Sequence, residues 1–170
     1  SVSTSPERHR QAAPRSVRCA VITVSDTRTA ETDTSGALIR ERLERAGHVV
    51  IGYAIVPDER EEIGRLVDEF VARPDCDAVL LNGGTGIARR DVTYEAIAER
   101  LEKCLDGFGE LFRWLSYREI GAAAMLSRAI AGVYRGKIVI AMPGSTGAVR
   151  LAMDELIVPE LAHLVFEARK

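Results

Sequence analysis

Residues 17–24 read Val17-Arg18-Cys19-Ala20-Val21-Ile22-Thr23-Val24, β-branched and apolar with few interruptions. A strand with one wet face alternates polar and apolar residues. This one does not, so it reads as a strand covered on both faces and suggests a parallel sheet. Downstream, Leu38, Ile39, Leu43 and Ala46 fall at helical spacing, and Gly47 is placed to end that helix. Residues 48–56 read as the second strand. Ile63, Leu66, Val67, Phe70 and Val71 recur at i, i+3, i+4, i+7 and i+8, an amphipathic helix that closes before Pro74. Residues 77–81 form the third strand and run straight into Asn82-Gly83-Gly84-Thr85-Gly86.

Residues 93–104 are expected to be helical, with Ile97, Leu101 and Cys104 on one stripe and Thr93 as the N-cap. Residues 108–120 and 121–132 read as further helices, the second rich in small residues that allow close packing, before a short strand over residues 137–141. Met142-Pro143-Gly144-Ser145-Thr146-Gly147 opens a final helix, where Val149, Ala152, Met153 and Leu156 share a face and Pro159 imposes a kink or break. This order predicts an α/β fold, a three-layer α/β/α domain around a mostly parallel sheet, over residues 17–170. Residues 1–16 are polar, carry Pro6 and Pro14 and lack an apolar period, so a disordered arm is expected there.

The chain has 170 residues, 46% hydrophobic and 28% charged, the profile of one domain with a sizeable core and no room for a second. Its 23 Lys and Arg face 25 Asp and Glu, which leaves no bulk charge to attract nucleic acid or a membrane surface. No apolar run reaches the ~18 residues needed to span a bilayer, and no secretory signal pattern is present, so a cytoplasmic location is expected. Cys19, Cys76 and Cys104 lie far apart without metal or redox spacing and read as reduced core thiols. His9, His48 and His163 form no metal pattern.

Ligands of a parallel sheet bind beyond the carboxyl ends of its strands, which selects residues 25–35, 56–58, 82–91 and 143–147. In Gly83-Gly84-Thr85-Gly86 the backbone amides can turn inward as a nest for phosphate oxygens, with Thr85 adding a hydroxyl; a plain tight turn is the alternative. The loop is neither a Walker loop nor a dinucleotide fingerprint, because Arg89 stands where the third glycine belongs. Asp58 and Asp91 end up near each other in such a sheet. Each could cap the helix that follows it, or together they could hold Mg²⁺ against triphosphate oxygens. Arg89 and Arg90 would serve the same anions or form a solvated cluster. Ser25-Asp26-Thr27 and Pro143-Gly144-Ser145-Thr146 offer hydroxyls and backbone donors at strand ends, and no Gly-x-Ser-x-Gly elbow is present.

Eight segments in order resemble one family: Ser25-Asp26-Thr27, Asp33-Thr34-Ser35-Gly36, Pro57-Asp58, Gly83-Gly84-Thr85-Gly86, Arg90-Asp91-Val92-Thr93, Gly107-Phe108-Gly109-Glu110, Leu126-Ser127-Arg128 and Pro143-Gly144-Ser145. From about Val17 to the C-terminus the chain is similar to the MoaB/MogA molybdenum-cofactor biosynthesis family, more so to its MoaB branch. The resemblance implies a mixed sheet and a homotrimer or homohexamer, with other proteins of the pathway as further partners. It implies an adenylyltransferase in which the terminal phosphate of molybdopterin attacks the α-phosphate of MgATP. Asp58 and Asp91 occupy the catalytic positions and are the Mg²⁺ candidates. Ser25, Asp26, Thr27, Gly83, Gly84, Thr85, Gly86, Arg90, Glu110, Ser127, Pro143, Gly144 and Ser145 are the expected substrate and nucleotide contacts. Tyr94 and Thr146 stand where many members have proline. Two other functions compete: a non-catalytic molybdopterin-binding or scaffold protein, and a nucleotide hydrolase on the related fold of competence-damage proteins.

Overall fold

The computed structural model describes residues 16–170; the arm expected before them lies outside the described residues. Six strands, β1 (Arg18–Val24), β2 (Val49–Val56), β3 (Ala78–Asn82), β4 (Lys103–Cys104), β5 (Ile130–Tyr134) and β6 (Lys137–Met142), form one sheet in the order β2-β1-β3-β6-β5-β4. The first four in that order are parallel, while β5 runs antiparallel to both β6 and β4. The mostly parallel mixed sheet is therefore observed. Every residue of β3 is buried, as is all of β1 after Arg18, which is why neither strand alternates in sequence.

Helices cover both faces. Cys19, Val21, Leu80, Ile138 and Ile140 pack against Ile39 and Leu43 of α1 (Thr34–Arg45), Phe112 of α4 (Asp106–Ile120), Val149 of α5 (Thr146–Ala152) and Leu161 of α6 (Val158–Ala168). The alternate residues Ala20, Ile22, Val79, Leu81 and Val139 meet Ile63, Val67 and Phe70 of α2 (Arg60–Val71) and Ala96 and Ile97 of α3 (Thr93–Ala98). Each fully buried side chain such as Ile22, Leu80 or Ile140 contributes on the order of 2 kcal/mol. No helix of the described residues is long and apolar enough to cross a membrane.

Several expectations are corrected. The helix expected over residues 93–104 stops at Ala98, because the Glu102 and Leu105 amides donate to Val133 and Ala131 and so pair Lys103–Cys104 with β5. Cys104 is consequently exposed, whereas Cys19 and Cys76 are the buried thiols expected. The small-residue helix expected over residues 121–132 is a short 3-10 helix, Gly121–Leu126, followed by β5. A two-residue turn at Arg135 and Gly136, with φ of 51° and 77°, folds β5 back onto β6; positive φ at both positions suits the twist of a tight hairpin. Pro159 does not break the last helix: a wide turn, Met153–Ile157, widens the spiral just before it and joins α5 to α6. His48 precedes β2, and its Nδ1 accepts from the Val17 amide at 3.0 Å.

Candidate active site

The parallel strands end level. Val24 pairs with Val56, Thr23 with Asn82, and Asn82 with Met142, so the chain leaves β1, β2, β3 and β6 at Ser25, Pro57, Gly83 and Pro143 on one edge. All four segments selected by the strand-end rule therefore meet there. Chain direction diverges on either side of β1, which makes the gap between β1 and β3 the switch point of the sheet.

Gly83-Gly84-Thr85-Gly86 is wedged into that gap. Gly83 and Gly84 have φ of +94° and +70°, and a Cβ on Gly83 would collide with the Val24 carbonyl. The polarity of the loop is one-sided. Three of its four carbonyls are taken: Gly84 accepts from the Thr93 amide at 2.9 Å, Thr85 from Arg128 Nε at 2.9 Å, and Gly86 from Arg128 Nη2 at 2.6 Å. Among the described residues the Gly84, Thr85 and Gly86 amides donate to no backbone carbonyl, which leaves them for an anion.

Both candidate aspartates lie against this loop. A Cβ on Gly84 would lie 2.9 Å from Asp58 Oδ1, and one on Gly86 would lie 2.6 Å from Asp91 Oδ2. Neither caps a helix. α2 begins after Glu59 and α3 after Val92, both without a side-chain cap, and Asp91 instead accepts from the Ala88 amide at 2.9 Å. Thr93, expected as a cap, is the first residue of α3. Burial, and then the negative charges of Asp26 and Asp91, push the Asp58 carboxyl above the usual range.

Asp26 and Arg90 form a latch beside the aspartates. Arg90 makes a two-pronged contact with Asp26, at 2.7 and 3.0 Å, and a third at 3.1 Å with Glu59. Asp26 also accepts from the Asp58 amide at 3.0 Å. The Arg90 hydrogen bonds hold the Asp26 carboxyl below its usual range. Ser25 and Ser145 behave as turn and cap residues: Ser25 Oγ accepts from the Thr27 and Arg28 amides, and Ser145 Oγ from the Ala148 amide at the start of α5. Gly144 packs on Gly83, where a Cβ would lie 3.0 Å from Gly83 Cα, and its carbonyl accepts from Ser35 Oγ at 2.7 Å. Pro143 is half-buried beside it. Glu110 is exposed on α4 and Ser127 half-buried; among the described residues neither side chain hydrogen-bonds to the loop.

Residues outside the expected set support the site. Arg128 grips the glycine loop, pairs with both Glu95 oxygens at 2.7 and 3.2 Å, and stacks 4.8 Å from the centre of the Tyr94 ring. Tyr94, in a position where proline is common, thus gains a partner. Arg128 stood one residue past the expected Ser127. Below the loop, Asn82 Nδ2 donates to Thr23 Oγ1 at 2.9 Å, and Thr23 donates to Asp33 at 2.6 Å. Asp33 also accepts from Tyr53 and from the Gly36 amide, the latter at 2.9 Å. Burial and Asp33 push the Tyr53 hydroxyl up to about 12. A polar residue ending a buried strand, as Asn82 does, was the available signal.

Among the described residues no group of three or more His, Cys, Asp or Glu could hold a metal ion. Asp58 and Asp91 are a pair of hard oxygen donors, which fits Mg²⁺, a cation that keeps several waters and takes its other ligands from phosphate.

The family described as "Probable molybdopterin binding domain" matches residues 20–163. The chain is 58% identical over 167 residues to molybdenum cofactor biosynthesis protein B of Halalkalibacterium halodurans, covering 98% of each. It is also 58% identical to the protein of that name from Bacillus subtilis, again over 98% of each. The tungsten cofactor synthesizing protein MoaB from Pyrococcus furiosus superposes with a TM-score of 0.84 at 40% identity, over 93% of this chain and all of that one. Family match, near full-length identity and shared architecture agree: the chain belongs to the MoaB/MogA family of molybdenum cofactor biosynthesis.

Proposed function

We propose that the chain adenylylates molybdopterin, using MgATP and releasing pyrophosphate. The observation that carries this reading is a nest of three amides, unpaired among the described residues, with two aspartates against it, one from the loop after β2 and one from the loop after β3. In the reaction, a terminal phosphate oxygen of molybdopterin bonds to the α-phosphorus of ATP. The bond from that phosphorus to the bridging oxygen breaks, and pyrophosphate leaves with the bond's electrons. Such transfers demand positioning and charge neutralisation more than covalent help. The Gly84, Thr85 and Gly86 amides take up phosphate oxygens, and Arg128 holds the loop in place through the Thr85 and Gly86 carbonyls. Asp58 and Asp91 would hold Mg²⁺, which when bound neutralises the triphosphate. Gly144 and Ser145 border the same cleft and would receive the pterin side of the substrate.

One observation favours the non-catalytic reading. Arg90, the expected phosphate partner, is occupied by Asp26 and Glu59. A protein that only binds molybdopterin has no need of a free arginine for a leaving pyrophosphate. Pyrophosphate release from MgATP decides between the two: release that depends on molybdopterin supports adenylylation, tight molybdopterin binding without release supports the carrier, and release without molybdopterin supports a hydrolase.

The same reading makes the protein a cytoplasmic homotrimer or homohexamer. Its support is the apolar face of α4 and the turn after it, where Leu111, Trp114, Tyr117, Ile120, Met125 and Leu126 are all exposed. A monomeric mass by light scattering would remove it.

A further inference from the structure

Thr93 is fully buried, and its hydroxyl is the one buried side-chain polar atom among the described residues without a hydrogen-bond partner. Its amide is bonded to the Gly84 carbonyl, so the backbone is anchored and only the hydroxyl is left over. Buried hydroxyls ordinarily find a partner, because a dry one forfeits the bonds it makes in water. Valine would occupy the same space without that loss. The hydroxyl at this position therefore needs a reason beyond packing.

Its surroundings supply one. A Cβ on Gly84 would collide with Thr93 Oγ1 and come within 2.9 Å of Asp58 Oδ1, so hydroxyl and carboxylate converge on the same face of the glycine loop. Among the described residues no side chain hydrogen-bonds to the Asp58 carboxylate; only the Asp26 backbone does, and the Asp58 amide is fixed by the Asp26 side chain. A carboxylate that must bind a cation needs its second oxygen held, since an unheld one swings between rotamers. We propose that Thr93 is a positioning residue for Asp58: with a divalent cation bound, its hydroxyl would donate to the Asp58 carboxylate and hold that group against the glycine loop. This rests on the reading that Asp58 and Asp91 hold a divalent cation.

The proposal implies opposite effects on binding and on stability, which a purely structural threonine does not produce. Binding of Mn²⁺ alone to the full chain is read from the loss of the free-ion electron paramagnetic resonance signal, for the wild type, Thr93→Val and Thr93→Ser. Thr93→Val is expected to weaken Mn²⁺ binding about tenfold to a hundredfold, the weight of one hydrogen bond to a charged group, and Thr93→Ser to stay within about twofold of the wild type. Without cation, Thr93→Val is expected to melt at a higher temperature than the wild type, because a methyl replaces an unpaired hydroxyl. Wild-type Mn²⁺ affinity in Thr93→Val, a lower cation-free melting temperature for it, an equal loss in Thr93→Ser, or no Mn²⁺ binding by the wild type each overturns the proposal. Thr93-dependent Mn²⁺ binding without pyrophosphate release leaves it standing while the adenylylation reading falls.

Discussion

In the parallel half of the sheet, β2, β1, β3 and β6 end level and deliver four loops to one edge. At the antiparallel margin β5 runs the other way, and the segment leading into it carries Arg128, which holds the glycine loop from behind. One half thus supplies the groups proposed to face a ligand, and the other supplies a clamp on the backbone that presents them. The difference follows from strand direction. Parallel strands stack their carboxyl ends on one side, whereas a hairpin returns the chain to the side it left.

Removing the facing groups should have the largest effect. Asp58→Ala and Asp91→Ala are expected to lower pyrophosphate release at least about 100-fold with an unchanged circular dichroism spectrum, because both lie in loops outside the core. Comparable turnover in either variant would break the assignment of the parallel half as the reacting side. Releasing the clamp should cost less. Arg128→Ala is expected to lower turnover roughly tenfold and stability by about 1–3 kcal/mol in urea denaturation, since two carbonyls and Glu95 lose a charged partner. Arg128→Lys should rescue little, as a single ammonium cannot span both carbonyls and Glu95.

A smaller and signed effect separates two acids within the reacting edge. Asp58 is raised, so its contribution to stability is full below the ordinary aspartate range and is lost as pH rises through its raised value; Asp26 is lowered, so its contribution is full above that range and is lost as pH falls through its lowered value. At pH 7 Asp58→Asn should therefore raise the melting temperature and Asp26→Asn should lower it, with both differences shrinking in acid. Equal signs would show that the two carboxyls do not sit in opposed environments. The smallest effect belongs to the margin's own turn. Gly136→Ala, at a φ of 77°, should cost about 1 kcal/mol and leave turnover unchanged.

Much of the parallel half is legible in the chain. Unbroken apolar runs at β1 and β3, helical periodicity at α2 and glycine at residue 47 locate its elements, and the strand-end rule then finds the loops without reference to chemistry. The margin is poorly legible. Ala122, Ala123 and Ala124 suggest a helix, but Ile130-Ala131-Gly132-Val133-Tyr134 gains more by pairing with β6 than by continuing it, and that gain exists only once β6 is in place. Cys104 was misplaced for the same reason. Pro159, read as a kink or break, does not break the helix, since a local widening just before it absorbs the proline.

The sequence by itself determined the layered fold, the glycine loop and the pair Asp58 and Asp91, because periodicity and strand-end position are properties of neighbours along the chain. Only the tertiary structure decided which hydroxyls and cations are free. Ser25 and Ser145 are occupied by backbone amides, Arg90 by Asp26 and Glu59, and Arg128 by the loop itself, while the Thr93 hydroxyl has no partner among the described residues. Hydrogen bonds between residues as far apart as Asp26 and Arg90, or Thr85 and Arg128, arise when folding brings distant segments within about 3 Å, and no spacing along the chain encodes them.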